Sequence, residues 1–85
     1  MYFEEVKIPC DLYGRNATKF NQNINSIKEN IWIRDIDKEC NAKSLLGLLS
    51  MGLKKDKEVY IKTDSSNYKF IFCQVKDIIS SLENI

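Results

Sequence analysis

The apolar residues of this chain change their spacing several times within 85 residues, and that alternation constrains the fold more than any other feature. Val6 and Ile8 alternate with Glu5 and Lys7, the period of a half-buried strand. Pro9 ends that strand, because proline lacks the amide a ladder needs. From Ala17 the interval lengthens. Ala17, Phe20, Ile24 and Ile27 form one apolar stripe at helical spacing, with Lys19, Asn23 and Lys28 on the opposite side. Ile31 and Ile33 return to period two around Trp32, Asp35-Ile36-Asp37 supplies a turn, and residues 38–41 read as a short return strand. Ser44 opens a short helix as its N-cap, and Gly52 follows where a left-handed residue often closes one. Val59 and Ile61 flank Tyr60 in a further strand. Asp64, Ser65 and Ser66 then offer caps for a last helix, whose stripe is Ile71, Val75, Ile78, Ile79 and Leu82.

The resulting order, β-α-β-β-α-β-α, suits a single antiparallel sheet with helices on one face, an α+β architecture. No linker, repeat or low-complexity segment divides the chain, so one domain over residues 1–85 is expected, near the lower limit for a self-sufficient core. A hydrophobic content of 44% argues against disorder. Thirteen basic and 12 acidic residues leave a net charge of +1, which provides no field for nucleic acid or anionic membranes. Lysine outnumbers arginine, so a bidentate phosphate-reading surface is not expected either.

Cys10, Cys40 and Cys73 are too few and too spread for a disulfide framework or a four-thiolate zinc site. With no histidine in the chain, no metal or other cofactor is expected. Met1-Tyr2-Phe3-Glu4-Glu5 lacks the basic start and apolar run of a leader, and no apolar run reaches membrane-spanning length. A cytoplasmic protein with reduced thiols is the expectation.

Two segments carry a family resemblance. Asn41-Ala42-Lys43-Ser44-Leu45-Leu46-Gly47-Leu48-Leu49-Ser50-Met51-Gly52-Leu53 resembles the regulatory-serine segment of HPr, the small phosphocarrier of the bacterial sugar phosphotransferase system. In the matching register upstream, HPr carries Gly-Leu-His-Ala-Arg-Pro-Ala and this chain reads Asp11-Leu12-Tyr13-Gly14-Arg15-Asn16-Ala17. The resemblance covers essentially the whole length and needs no gap from Ala17 to the last helix; the loop before Tyr13 is shortened. It implies the HPr architecture: an open-faced β-sandwich, a four-stranded antiparallel sheet with three helices on one face.

The same alignment puts Tyr13 where HPr carries its phosphorylatable histidine. Imidazole suits reversible relay because it titrates near neutrality and is both a good nucleophile and a good leaving group. A phenol, with a pKa near ~10, holds phosphate as a stable ester. Asn16 also replaces the family's proline, while Arg15 and Ala17-Thr18 match the motif. Two readings of this degenerate phosphocarrier site stand side by side. Arg15 and the helix amides can attract a phosphate or carboxylate, or Arg15 is a solvated surface residue and Ala17 merely packs. A catalytic role is not expected, since no nucleophile–base pair or Gly-rich phosphate loop is visible.

At Ser44 the resemblance implies phosphorylation by a dedicated HPr kinase, with the product serving a LacI-type regulator in carbon catabolite repression, as in histidine-lacking paralogues. Leu45, Leu46, Leu49 and Met51 would then be the docking patch. The plainer reading is an N-cap followed by core leucines, yet a short helix cannot bury leucines on more than one face. The other partners implied are phosphotransferase-system enzymes, met by docking without phosphorylation. A monomer is expected. Trp32 and Tyr60 both point to the open side of the sheet, either as a contact patch or as a cross-strand aromatic pair. Cys40 is expected to face the core and Cys10 to be exposed without a base to activate it. The run Lys54-Lys55-Asp56-Lys57-Glu58 reads as a solvated turn.

Overall fold

The computed structural model describes residues 1–82. Its elements follow the expected order: β1 (Tyr2–Lys7), α1 (Gly14–Ile24), β2 (Trp32–Asp35), β3 (Lys38–Asn41), α2 (Leu45–Met51), β4 (Glu58–Thr63) and α3 (Tyr68–Ser80). The four strands form one sheet in the order β1-β4-β2-β3, every neighbouring pair antiparallel. The alternation that marked the strands decides which way each residue points. Val6, Val59, Ile61 and Ile33 turn inward and are buried, whereas Phe3 and Tyr60 turn outward and stay exposed. Phe20 and Ile24 of α1, Leu48 of α2, and Ile71, Phe72 and Val75 of α3 complete the core cluster.

Several apolar residues belong to the core but lie just outside the elements they signalled. Ile8 follows β1, donates its N–H to the Lys57 carbonyl at 2.8 Å and is buried. Ile27 lies beyond the end of α1, and Leu82 beyond α3, yet both are buried. Periodicity reports burial, and burial outlasts the helix by a turn. Ile78 is only half-buried at the margin of the core, and Phe72 joins it instead.

The cap of α3 is also a correction. Asn67, not Asp64, Ser65 or Ser66, holds the N-cap position, and its side chain makes no capping bond. Ser65 acts one step earlier: its hydroxyl accepts the Asn67 N–H at 3.0 Å, shaping the turn that leads into the helix. The β2–β3 turn falls where expected, with Ile36 at φ 38 and 85% exposed.

Candidate functional site

The segment before α1 is held by β4's approach loop. Leu12 is buried and donates its N–H to the Leu53 carbonyl at 2.9 Å, and the Asp11 carboxylate accepts the Lys55 N–H at 2.8 Å. Tyr13 is thereby fixed as the N-cap of α1, with extended backbone (φ −126, ψ 158) and no side-chain capping bond. Its carbonyl accepts the N–H groups of Asn16 at 3.0 Å and Ala17 at 3.3 Å, starting the helix. The ring is 45% exposed, and its hydroxyl lies beside Gly52, where an added β-carbon would be 4.0 Å away. The start of α1 and the end of α2 therefore form one continuous surface, with Tyr13 between them.

The other residues at this helix start divide by role. Arg15 is exposed and makes no ion pair among the described residues. Asn16 is half-buried and its Nδ2 donates to the Asp11 carbonyl at 3.3 Å, tying helix to loop. Ala17 is fully buried and packs. Tyr13 and Arg15 are exposed and, among the described residues, make no side-chain hydrogen bond or ion pair that the helix start needs, so they present their side chains to a partner.

Ser44 is the N-cap of α2 (φ −99, ψ 114), and its Oγ accepts the Gly47 N–H at 3.1 Å. The approach is set by Asn41, whose side chain accepts the Lys43 N–H and whose carbonyl accepts the Ser44 N–H, each at 2.9 Å. Gly47 matters for space: a β-carbon there would meet Cys40 Cβ at 3.2 Å and Ser44 Oγ at 3.3 Å. The missing side chain lets α2 close on both β3 and its own cap. At the far end Gly52 takes φ 60 and donates to the Leu49 carbonyl, the left-handed closure that glycine accommodates without strain.

The leucine run separates cleanly. Leu48 is fully buried, Leu45 half-buried, Leu46 81% exposed and Leu49 38% exposed. Met51 is a correction to the expected patch. It is buried at the base of the helix, one turn from Leu48, and offers a partner almost no surface. Seven residues of helix cannot turn four apolar side chains and Met51 to the same side, so two leucines remain outside.

The open face of the sheet differs from expectation in detail. The register places Trp32 opposite Lys62, and Arg34 opposite Tyr60. Trp32 is covered by the Lys62 ammonium, 4.9 Å from the ring centroid, and that ammonium also binds both oxygens of Glu39 at 2.8 Å. Tyr60 meets Phe3 of β1 edge-on at 6.4 Å. The aromatic pair thus forms across β1 and β4, since Trp32 and Tyr60 are two residues out of register on the same face.

Cys10 is buried, not exposed, because its loop packs under the site. Cys40 is half-buried against the core, and desolvation raises its thiol pKa above the usual value, aided by Glu39 and opposed by a hydrogen bond from Ile33. Cys73 is exposed. No periodicity marks the Tyr2–Tyr68 stack, with centroids 4.0 Å apart, because the strand pattern becomes visible only at Val6.

The sequence profile described as "PTS HPr component phosphorylation site" matches residues 4–81. The chain belongs to the HPr family. It is 26% identical over 76 residues to the phosphocarrier protein HPr of Neisseria meningitidis serogroup A, covering 89% of this chain and 85% of that one. It is 32% identical over 63 residues to the HPr-like protein Crh of Halalkalibacterium halodurans, covering 74% and 75%. Among solved structures it is similar to HPr-C-His from Thermoanaerobacter tengcongensis, with a TM-score of 0.85, 25% identity and full coverage of both chains. This HPr-family chain therefore has the family's sheet and helices but no histidine anywhere in its sequence. Among the described residues, no helix is long and apolar enough to cross a membrane.

Proposed function

We propose that this chain is a single-domain HPr-family regulatory protein that works in carbon catabolite control without relaying phosphate, with Ser44 as its regulated position. The observation that carries the reading is the pairing of a histidine-free α1 start with an accessible α2 start. Tyr13 stands at the first, and Ser44, beside exposed Leu46 and Leu49, stands at the second. The Ser44 hydroxyl uses a lone pair toward Gly47, and its oxygen remains a chemically competent acceptor for a kinase. A phosphate there would add a charge of about −1.5 to −2 next to backbone amides at a helix start, a placement that favours it electrostatically. Leu46 and Leu49 would provide the apolar contact that a protein partner buries. The partners of this reading are proteins of the cytoplasm: HPr kinase and a LacI-type regulator.

Incubation with HPr kinase and ATP, read by intact mass, is expected to add one phosphate that Ser44→Ala abolishes. An unmodified chain beside labelled authentic HPr would defeat the phosphoserine reading.

A second reading is docking on phosphotransferase-system enzymes in competition with authentic HPr. It is favoured by Arg15, which stays exposed and without an ion pair among the described residues, on the same surface as Tyr13. Slowed phosphotransfer to authentic HPr on adding this chain would support it, and undiminished transfer at large excess would eliminate it.

A further inference from the structure

The side of the molecule formed by β1 and α3 is separate from the Tyr13–Ser44 surface, and it holds an aromatic groove of about 670 Å³. Tyr2 and Tyr68 stack to form part of its wall, Phe72 packs against Tyr68 at 6.1 Å, and Phe3 lies at the rim. Lys69 and Lys76 border it from α3. Lys76 is paired with Glu4, while Lys69 has no ion pair among the described residues, so these side chains leave the groove with one uncompensated positive charge.

β1 is an edge strand, paired on one side only. The Ile8 N–H is directed toward the β4 side, at the Lys57 carbonyl. By strand alternation Val6 and Glu4 direct theirs the same way, and Phe3, Glu5 and Lys7 direct their N–H and C=O groups to the open edge. An apolar floor, an unpaired ladder and a cationic border thus run side by side.

We propose that this groove binds an extended peptide segment of another protein, carrying an acidic side chain, that adds as a fifth strand to the edge of β1. Main-chain hydrogen bonds to Phe3, Glu5 and Lys7 supply affinity, the Tyr2–Tyr68–Phe72 surface takes an apolar side chain, and Lys69 selects a carboxylate. A strand occupant fits better than a compact small molecule because the groove borders residues 1–4, a second depression beside Glu5, Val6 and Lys7 continues along the same strand, and Lys76 borders both. The net positive charge selects an acidic partner over a basic one.

The test uses two capped hexapeptides, one alternating valine with glutamate and one alternating valine with lysine, titrated into the isotope-labelled full chain and followed by amide NMR and hydrogen exchange. The glutamate peptide is expected to shift resonances of residues 2–7 and 69–76 and to slow exchange at Phe3, Glu5 and Lys7. It should bind at least about five-fold more tightly than the lysine peptide. Lys69→Glu, a surface change that leaves the core intact, should abolish or reverse that preference. Equal binding of both peptides, or shifts confined to the Tyr13–Ser44 surface, would overturn the proposal. Protection of the same three amides by increasing the protein concentration alone would overturn it in favour of self-pairing.

Discussion

Ser44 caps α2 and is the proposed phosphorylation position, and the two roles can be measured apart. Removing its hydroxyl with Ser44→Ala takes one acceptor from the Gly47 amide and should cost about 1 kcal/mol by chemical denaturation. The fold should survive, because Leu48 still anchors α2 in the core. A loss several times larger would mean that the cap holds more than this helix.

The three thiols give a second residue-level test. Iodoacetamide near neutral pH should label Cys73 in the native protein, and Cys10 and Cys40 only after denaturation, as mass spectrometry would report. For Cys40 the folded-state pKa is raised, so the folded state retains a proton that the unfolded state loses. Its contribution to stability is therefore intact below the ordinary thiol pKa and declines as pH rises above it. Cys40→Ala should remove that alkaline component; an unchanged alkaline decline would assign it to another group.

Among the elements, α2 and the β2–β3 hairpin are the most sensitive to local geometry. Gly47→Val would drive a branched side chain into Cys40 and Ser44, and overpacking of this kind costs about 1–3 kcal/mol. Circular dichroism should show a lowered Tm without loss of the sheet. The hairpin presents the opposite case. Ile36 is β-branched, exposed and in positive φ, a conformation that asparagine adopts more easily. Ile36→Asn should raise stability by about 1 kcal/mol. A destabilised variant would show that the Ile36 side chain makes a contact that its exposure conceals.

At the level of the whole molecule, relay and assembly are the measurable properties. Incubation with enzyme I and phosphoenolpyruvate should place no acid-labile phosphate on the chain, since it has no imidazole to accept one. Tyr13→His alone should restore little, because the shortened loop is pinned by Asp11 and Leu12, and Asn16 adds a further tie to it. Transfer at rates like those of authentic HPr would refute both statements. Light scattering at micromolar concentration should report a monomer. Trp32 is already covered by Lys62, which leaves the open face less adhesive than two bare aromatic rings would be.

The order of strands and helices was legible in the chain, because burial on one face forces apolar residues to period two or to three and four, and each change of period marks a new element. The N-cap at Ser44 and the closure at Gly52 were legible for the same local reason: both act within a turn of their own position. What lay beyond the sequence depended on contacts between residues distant along it. Met51 is buried and Leu46 exposed according to which side of α2 faces the sheet, a choice made where Gly47 meets Cys40. Cys10 is covered because its loop is drawn in by Leu12 and Asp11 against the 53–57 segment. Trp32 finds a lysine rather than Tyr60 because strand register sets cross-strand partners, and an offset of two residues leaves no trace in composition. The groove beside β1 exists only when Tyr2 and Tyr68, at opposite ends of the chain, stack in the folded molecule.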